Sequence, residues 1–208
     1  MTTNLITLGP KDFVTSDLHL GRNPYPYSLW WGQDVEKHHQ TMARYWGYQA
    51  AEDSLVVVLG DAVDAGAQDV EQTLSWFADR PGRKILVPGN HDTPHPHREA
   101  DDDRIKREGW LEVFEEITDP FDTWLSIADA SYPLPACHYP PSEHRQEGYR
   151  HRAAERLNLV HVHGHTHGRR RTRNVGGRWE LNVGWSAWRK LAPVPALGEL
   201  VLSPKKGT

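Results

Sequence analysis

The sequence predicts an α/β fold in one domain spanning residues 1–208, on three observations. Short apolar runs alternate with amphipathic segments, so strands and helices are expected to interleave. One run, residues 55–59, is apolar without a break, as in a strand buried on both faces. The length of 208 residues suits one sizeable core and is tight for two compact domains.

The elements follow in order. Residues 11–16 read as a strand ending at Asp17. Residues 35–51 read as a helix, with Met42, Trp46 and Ala50 four apart on one face. After the strand at 55–59, Val70, Leu74 and Phe77 mark a second helix, and residues 84–87 a third buried strand. Residues 95–108 are polar, with Asp101, Asp102 and Asp103 in sequence, and predict a surface loop with a short helix. His95 and His97, in this Pro-rich stretch, read as surface residues. Residues 110–117, 121–128, 130–137 and 157–162 read as strands or strand–helix mixtures. Gly176-Gly177 fits a two-residue hairpin turn, and residues 199–203 a final edge strand. There is no internal repeat and no long linker.

Composition narrows the classes. The apolar share is 38% with nine Trp and seven Tyr, which argues for a packed globule rather than a disordered chain. A formal charge of -4 gives no global attraction to nucleic acid or to an anionic membrane. The single cysteine, Cys137, rules out an intrachain disulfide and a four-thiolate zinc site, and reads as a small buried apolar residue. Residues 1–10 carry no basic segment followed by a long apolar one, and no run approaches the roughly 18 apolar residues of a membrane span. The expectation is a soluble protein of a reducing compartment, the cytoplasm.

Chemistry concentrates in five short patches: Asp17-Leu-His19, Gly60-Asp61, Gly89-Asn90-His91-Asp92, Cys137-His138-Tyr139-Pro140 and Gly164-His165-Thr166-His167. Each trails an apolar run, and in layered α/β proteins functional groups gather beyond the carboxyl ends of strands. Asp17 and His19 are two apart, so strand alternation points both the same way and one ion can take both. Asp61 follows a strongly apolar strand, where an unpaired buried carboxylate is costly; its two oxygens can hold two cations. Asn90 offers an amide oxygen, and His91 lies beside it without having to ligate. His161, His163, His165 and His167 alternate; Gly164 ends the strand, leaving His161 and His163 within it as core or supporting residues. Oxygen and imidazole donors together suit Mn, Fe, Ni or Zn better than Ca or Mg. Singly, Asp17-Leu-His19 reads better as a turn with a surface histidine, Gly60-Asp61 reads as a common turn, and His138 reads as a ligand only in company, whereas Gly89-Asn90-His91-Asp92 is distinctive enough to weigh against a plain turn. Arg169, Arg170, Arg171 and Arg173 read either as an anion-attracting rim or as a solvated hairpin face. Trp30, Trp31, Trp185 and Trp188 fall in loop-like stretches and read as pocket walls or as core.

Taken together and in order, the five patches resemble the calcineurin-like metallophosphoesterase superfamily, whose signature runs Asp-x-His, Gly-Asp, Gly-Asn-His-Asp/Glu, His and Gly-His-x-His. The surroundings of Leu18 to Gly21 and the closing Asn182-Val183-Gly184 look like its small bacterial and phage-type branch. The resemblance implies a four-layer sandwich: two mixed β-sheets face to face with helices outside. It implies two divalent cations, manganese favoured. Asp17, His19 and His167 would hold the first, Asn90, His138 and His165 the second, with Asp61 bridging. It makes His91 the proton donor to the leaving oxygen, and Asp64 the residue orienting His91. The implied reaction is hydrolysis of a phosphate ester, preferably a diester, by a hydroxide held between cations about 3.5–4 Å apart. Ala65 stands where protein phosphatases of this superfamily carry a phosphate-clamping Arg, and Asp92 where they carry Glu, so the match to that branch is weaker. A nuclease, motivated by the arginines, and a non-catalytic scaffold of the same fold are the rival readings.

Overall fold

The unbroken apolar run that follows Ser54 becomes the middle of a sheet, and the rest of the chain is layered around it. The computed structural model describes residues 4–21, 34–63, 70–96, 109–128, 130–142 and 159–207. In chain order the elements are β1 (Asn4–Leu8), β2 (Phe13–Thr15), α1 (Val35–Gln49), β3 (Leu55–Val58), α2 (Val70–Ala78), β4 (Arg83–Leu86), β5 (Glu116–Ile117) and β6 (Thr123–Ile127). They continue with β7 (Leu134–Ala136), β8 (His161–His163), β9 (Thr172–Val175), β10 (Arg178–Asn182), α3 (Trp185–Trp188), β11 (Ala192–Pro193) and α4 (Val194–Leu202).

The strands form two mixed sheets, as expected for this α/β class. A six-stranded sheet has the order β1-β6-β7-β8-β10-β9, and a five-stranded sheet the order β11-β2-β3-β4-β5. In the second sheet β2, β3, β4 and β5 run parallel, with β11 antiparallel at the edge. In the first, β7, β8 and β10 run parallel. The carboxyl ends of β2, β3, β4, β7 and β8 all lead into the five patches.

Alternation along β3 explains the layering. Leu55 and Val57 join a core with Ile6, Leu8, Leu125, Ala136, Val162 and Leu181 of the other sheet, so the sheets meet face to face there. Val56 and Val58 face the opposite way, into a second core with Met42 and Trp46 of α1 and Phe77 of α2. Both faces of β3 are apolar because both are covered. Helix α1 starts where Asp34 accepts the backbone N–H of Lys37 at 3.0 Å. Its buried stripe includes Met42 and Trp46, as the four-residue spacing predicted. Trp46 is fully buried, with its indole N–H donating to Pro81 O at 3.0 Å and its ring against Trp76 and Phe77.

Several sequence expectations change. The tail is helical, not an edge strand: α4 covers residues 199–202 and buries Leu197 and Leu200 in the inter-sheet core. Pro193 as N-cap and Pro195 near its start suit a helix beginning, and a five-residue apolar window cannot separate the two states. Strand β1 is obscured in the sequence: Ile6 and Leu8 alternate as buried residues, but the apolar Leu5 beside them is exposed and breaks the pattern. Trp185 and Trp188 sit in α3, each 4% exposed, and belong to the two cores rather than to loops. The Gly176-Gly177 hairpin forms as predicted, with φ of 59° and 88° at its two turn residues. Cys137 is buried, and burial pushes its thiol up to about 12. Trp30, Trp31, Asp64, Ala65 and His97 lie outside the described residues. No helix among the described residues is long and apolar enough to cross a membrane.

Truncating Trp46 to alanine removes one of the three buried tryptophans of the second core among the described residues. The expected loss is about 3–5 kcal/mol of unfolding free energy, read by urea denaturation, with the denaturant slope unchanged.

Candidate metal centre

The two sheets end side by side, and hydrogen bonds continue past the strands. Asp17 N–H donates to Gly60 O and His19 N–H to Asp61 O, both at 3.0 Å, so the segments after β2 and β3 stay locked together. Leu18 and Leu20, fully buried in the outer core, anchor the first of these segments. On the other sheet, Gly164 N–H donates to His138 O at 3.0 Å. His165 N–H then reaches across to the Asp17 carboxylate at 2.9 and 3.1 Å. That amide ties the two sheets at the site, together with the contact of His138 Nδ1 with Leu59 O at 2.9 Å and the bond from Trp185 N–H to Ser16 O at 2.8 Å.

The convergence is tight. One ligand atom each from Asp17, His19, Asp61 and His167 lies within 4.8 Å of the others, and the same holds for Asp61, His138 and His165. Asp61 is common to both sets. Its Oδ2 stands 3.6 Å from His19 Nε2 and 3.1 Å from His138 Nε2. His19 Nε2 and His167 Nε2 are 3.2 Å apart, and His167 Nε2 lies 3.7 Å from Asp17 Oδ1. His165 Nδ1 and His138 Nε2 are 3.3 Å apart. Ring nitrogens this close, aimed at one another and at carboxylates, are what a cation site requires.

Asn90 supplies a test of fit. Its Oδ1 is buried and accepts no hydrogen bond among the described residues. A buried amide oxygen without a donor costs about 1–3 kcal/mol, which a cation ligated by that oxygen offsets. The donor set, carboxylates, imidazoles and one amide oxygen, suits divalent first-row ions. The residues present therefore fit a pair of such cations. His91 belongs to neither convergent group. Its N–H donates to Asp61 Oδ1 at 2.9 Å, and its ring meets the His19 ring edge-on at 4.9 Å.

The backbone explains why these residues gather, and it corrects the alternation argument. Strand β2 ends at Thr15, and Asp17 and His19 both have positive φ, 59° and 45°. Asp61, His165 and His167 do as well, at 51°, 65° and 50°. Of the six non-glycine residues in this region of φ among the described residues, five are in the cluster. Asp and His tolerate left-handed backbone better than most residues, and strain of this kind collects at functional sites. Gly89 is required by proximity, since a Cβ there would fall 2.6 Å from Asp61 N.

Electrostatics follow from burial against charge. Burial drives His19 down to about 4, over the opposing pull of Asp61 and Asp17. At His138 burial also disfavours the cation, yet Asp61 beside it outweighs that and raises the imidazole to about 9. Asp61 is itself buried, which works against ionisation, but His138 and His19 hold it well below the usual carboxylate range. His138 Nδ1 is 2.9 Å from Leu59 O, so a proton there donates to that carbonyl and leaves Nε2 facing Asp61.

Three residues carry more than their sequence signal. Asp92 is fully buried and accepts the N–H groups of Ala62, Gly89 and Val63 at 2.9, 2.8 and 3.3 Å, bolting the Asp61 turn to the Asn90 turn. Its only visible cue is its place in the tetrad. His95 is not a surface residue: it is 2% exposed, with Nε2 3.1 Å from Tyr139 Oη, and Tyr139 packs on the His138 and His165 rings. The flanking prolines gave no hint of this. Asn182, whose cue in the sequence is its place in a closing tripeptide, donates to Gly168 O at 3.1 Å and Arg170 O at 3.3 Å in the loop carrying His167. His161 and His163 stay in β8, each 2% exposed, as expected. The arginines divide: Arg171 stacks on Trp188 at 4.2 Å and Arg173 pairs with Glu180 at 2.7 Å. Arg169, Arg170 and Arg173 line a cavity of about 470 Å³ that also borders Thr166.

Comparison with known proteins agrees with this geometry. The sequence profile of the calcineurin-like phosphoesterases matches residues 13–169. The chain is similar to the Gene 66 protein of Mycobacterium phage D29, 31% identical over 204 residues, 94% of this chain and 98% of the phage protein. It is also similar to the Gene 66 protein of Mycobacterium phage L5, 31% identical over 91% of this chain and 93% of that protein. The crystal structure of a protein of unknown function from Aquifex aeolicus shares the fold, with a TM-score of 0.60 at 21% identity, covering 91% of this chain and 98% of that one.

Replacing Asp92 by asparagine turns one acceptor oxygen into a donor facing a buried N–H. The expected cost is about 1–3 kcal/mol, and alanine, which abandons all three N–H groups, costs more. Thermal unfolding of both variants checks this; unchanged midpoints would refute the bolting role.

Proposed function

Since the chain belongs to the calcineurin-like phosphoesterase family, we propose that it is a metal-dependent hydrolase of phosphate esters, with phosphodiesters as the preferred substrates and residues 1–208 acting as one domain. The observation that carries this is Asp61, one carboxylate oxygen of which lies within 3.6 Å of a histidine from each of two converging sets. A lone structural ion pair would not need a second set of imidazoles on the other side.

In this reading Asp17, His19 and His167 would hold one cation, Asn90, His138 and His165 would hold the other, and Asp61 would serve both. Manganese is the favoured ion, with Fe, Ni and Zn compatible with the same donors. When bound, the two ions supply a hydroxide nucleophile at neutral pH and neutralise charge on the phosphate oxygens. The remaining chemistry is the chain's own. His91 hands a proton to the departing alkoxide, the group that needs it most when the leaving alcohol is weakly acidic. Its backbone bond to Asp61 Oδ1 fixes where that proton is offered. Asp64, outside the described residues, takes the role of orienting His91 from the family resemblance alone. The missing Arg at position 65 removes a clamp on a terminal phosphate, which supports diesters over monoesters.

The cavity beside Thr166 motivates the nuclease alternative, because Arg169 and Arg170 border it. Against it, Arg171 and Arg173 are engaged by Trp188 and Glu180. Oligonucleotide binding that weakens steeply with salt would favour the nuclease; no binding at low salt removes it.

Two measurements test the main reading. The apoprotein, reloaded in turn with Mn, Fe, Ni and Zn, is assayed on a chromogenic diester and monoester. Turnover is expected with at least one metal and faster on the diester; inactivity with every metal on both substrates sinks the enzyme reading. His91→Ala is expected to retain its two ions while kcat falls about 10²–10⁴-fold. Loss of an ion instead would make His91 a ligand.

A further inference from the structure

Beside the first half-site, the Asn182 side chain bonds to backbone groups and to Thr166 rather than to a donor atom of the cluster, among the described residues. Asn182 ends β10, is 4% exposed, and forms hydrogen bonds through both ends of its amide. Its Oδ1 accepts Gly184 N–H at 2.8 Å. Its Nδ2, with two hydrogens, faces three acceptors: Gly168 O at 3.1 Å, Arg170 O at 3.3 Å and, at the longest distance, Thr166 Oγ1 at 3.4 Å. The carbonyl of Asn182 accepts the Trp188 indole N–H at 2.8 Å, and its N–H donates to Arg171 O at 2.8 Å.

The two ends of this one amide reach two walls of the same half-site. On the Nδ2 side is the loop on which His167 sits between Thr166 and Gly168, with left-handed φ at His165 and His167. A loop bent that way is not held by strand pairing, and the amide bonds both flanks of His167 to the sheet. On the Oδ1 side is Gly184, packed so closely on Asp17 that a Cβ there would fall 2.7 Å from Asp17 Oδ2. Trp185 N–H donates to Ser16 O at 2.8 Å and closes the same wall. The other half-site has anchors of its own: His138 is wholly buried and bonded to Leu59 O, and His165, though it shares the loop with His167 and donates its N–H to Asp17, follows Gly164, whose N–H is bonded to His138 O. We propose that Asn182 is a positioning residue for the half-site of Asp17, His19 and His167, holding His167 and the Gly184 turn against Asp17 so that this ion depends on it more than the other does. This rests on the metal-centre reading given above.

The chemistry of the group makes the test selective. Asn182→Asp keeps shape and the acceptor for Gly184 but sets an oxygen against the carbonyls of Gly168 and Arg170. Asn182→Ser keeps neutrality and withdraws the reach to both. Metal-free protein is titrated with Mn by calorimetry and with Co by visible absorption, alongside His167→Ala and His138→Ala. The wild type is expected to bind two ions. Both Asn182 variants are expected to bind one ion normally and the second at least tenfold more weakly, with a singly loaded Co spectrum matching His167→Ala and not His138→Ala. Gly184→Ala, which presses on Asp17, is expected to weaken the same ion. Circular dichroism and melting establish folding, and if Asn182→Asp fails to fold, Asn182→Ser decides. Two ions bound at wild-type affinity in the variants, or equal weakening of both ions in folded variants, overturns the role of Asn182 alone. A wild-type protein that binds fewer than two ions overturns the metal-centre reading, and this inference with it.

Discussion

Everything at the rim is arranged around the Asp61 carboxylate. It is 1% exposed, and a charge so buried is stable only when opposite charge and hydrogen bonds replace the lost water. One oxygen faces His19 and His138, the other accepts the His91 N–H, and Asp92 behind it fixes the turns on either side. Those partners arrive from different places. His19 and His91 follow strands of the five-stranded sheet, while His138 follows a strand of the six-stranded one. The carboxylate is therefore satisfied only if the two sheets stack in register, which couples the architecture of the core to the chemistry at its edge.

The same coupling explains which expectations the amino-acid sequence could support. Asp, His and Asn after apolar runs stand out because their donor atoms have few other uses at the end of a buried strand. The reason they converge was not visible. Alternation along an extended strand aligns Asp17 with His19 on paper, but both residues have left the strand, and backbone of opposite hand turns them toward Asp61. Element types were legible where periodicity was long, as in α1, and failed where it was short, as in α4, whose apolar residues suit a strand over five positions and a helix over nine.

Supporting residues were the least legible. Asp92, His95 and Asn182 act through contacts with chain segments 30, 44 and up to 16 residues away, and nothing in their immediate neighbours announces those partners. Asn182 and Asp92 solve related problems. Each is a short polar side chain that gathers backbone groups from two turns, one of N–H groups alone, the other of carbonyls and an N–H. Such groups must be satisfied when a loop is buried, and one well-placed amide or carboxylate does so for several at once.

The left-handed residues of the rim carry a cost that is separate from metal binding. Each non-glycine residue in that conformation works against folding by about 1 kcal/mol or more, and five of them share one small region. Glycine would relieve the backbone at every one of these positions while deleting the donor atom. Glycine at Asp61 or Asp17 would also leave the N–H groups of His91 and His165 without their carboxylate acceptors, so the relief of the backbone would be offset by lost hydrogen bonds. The strain of the rim and the bonds that hold it therefore reside in the same side chains, and neither can be removed without the other.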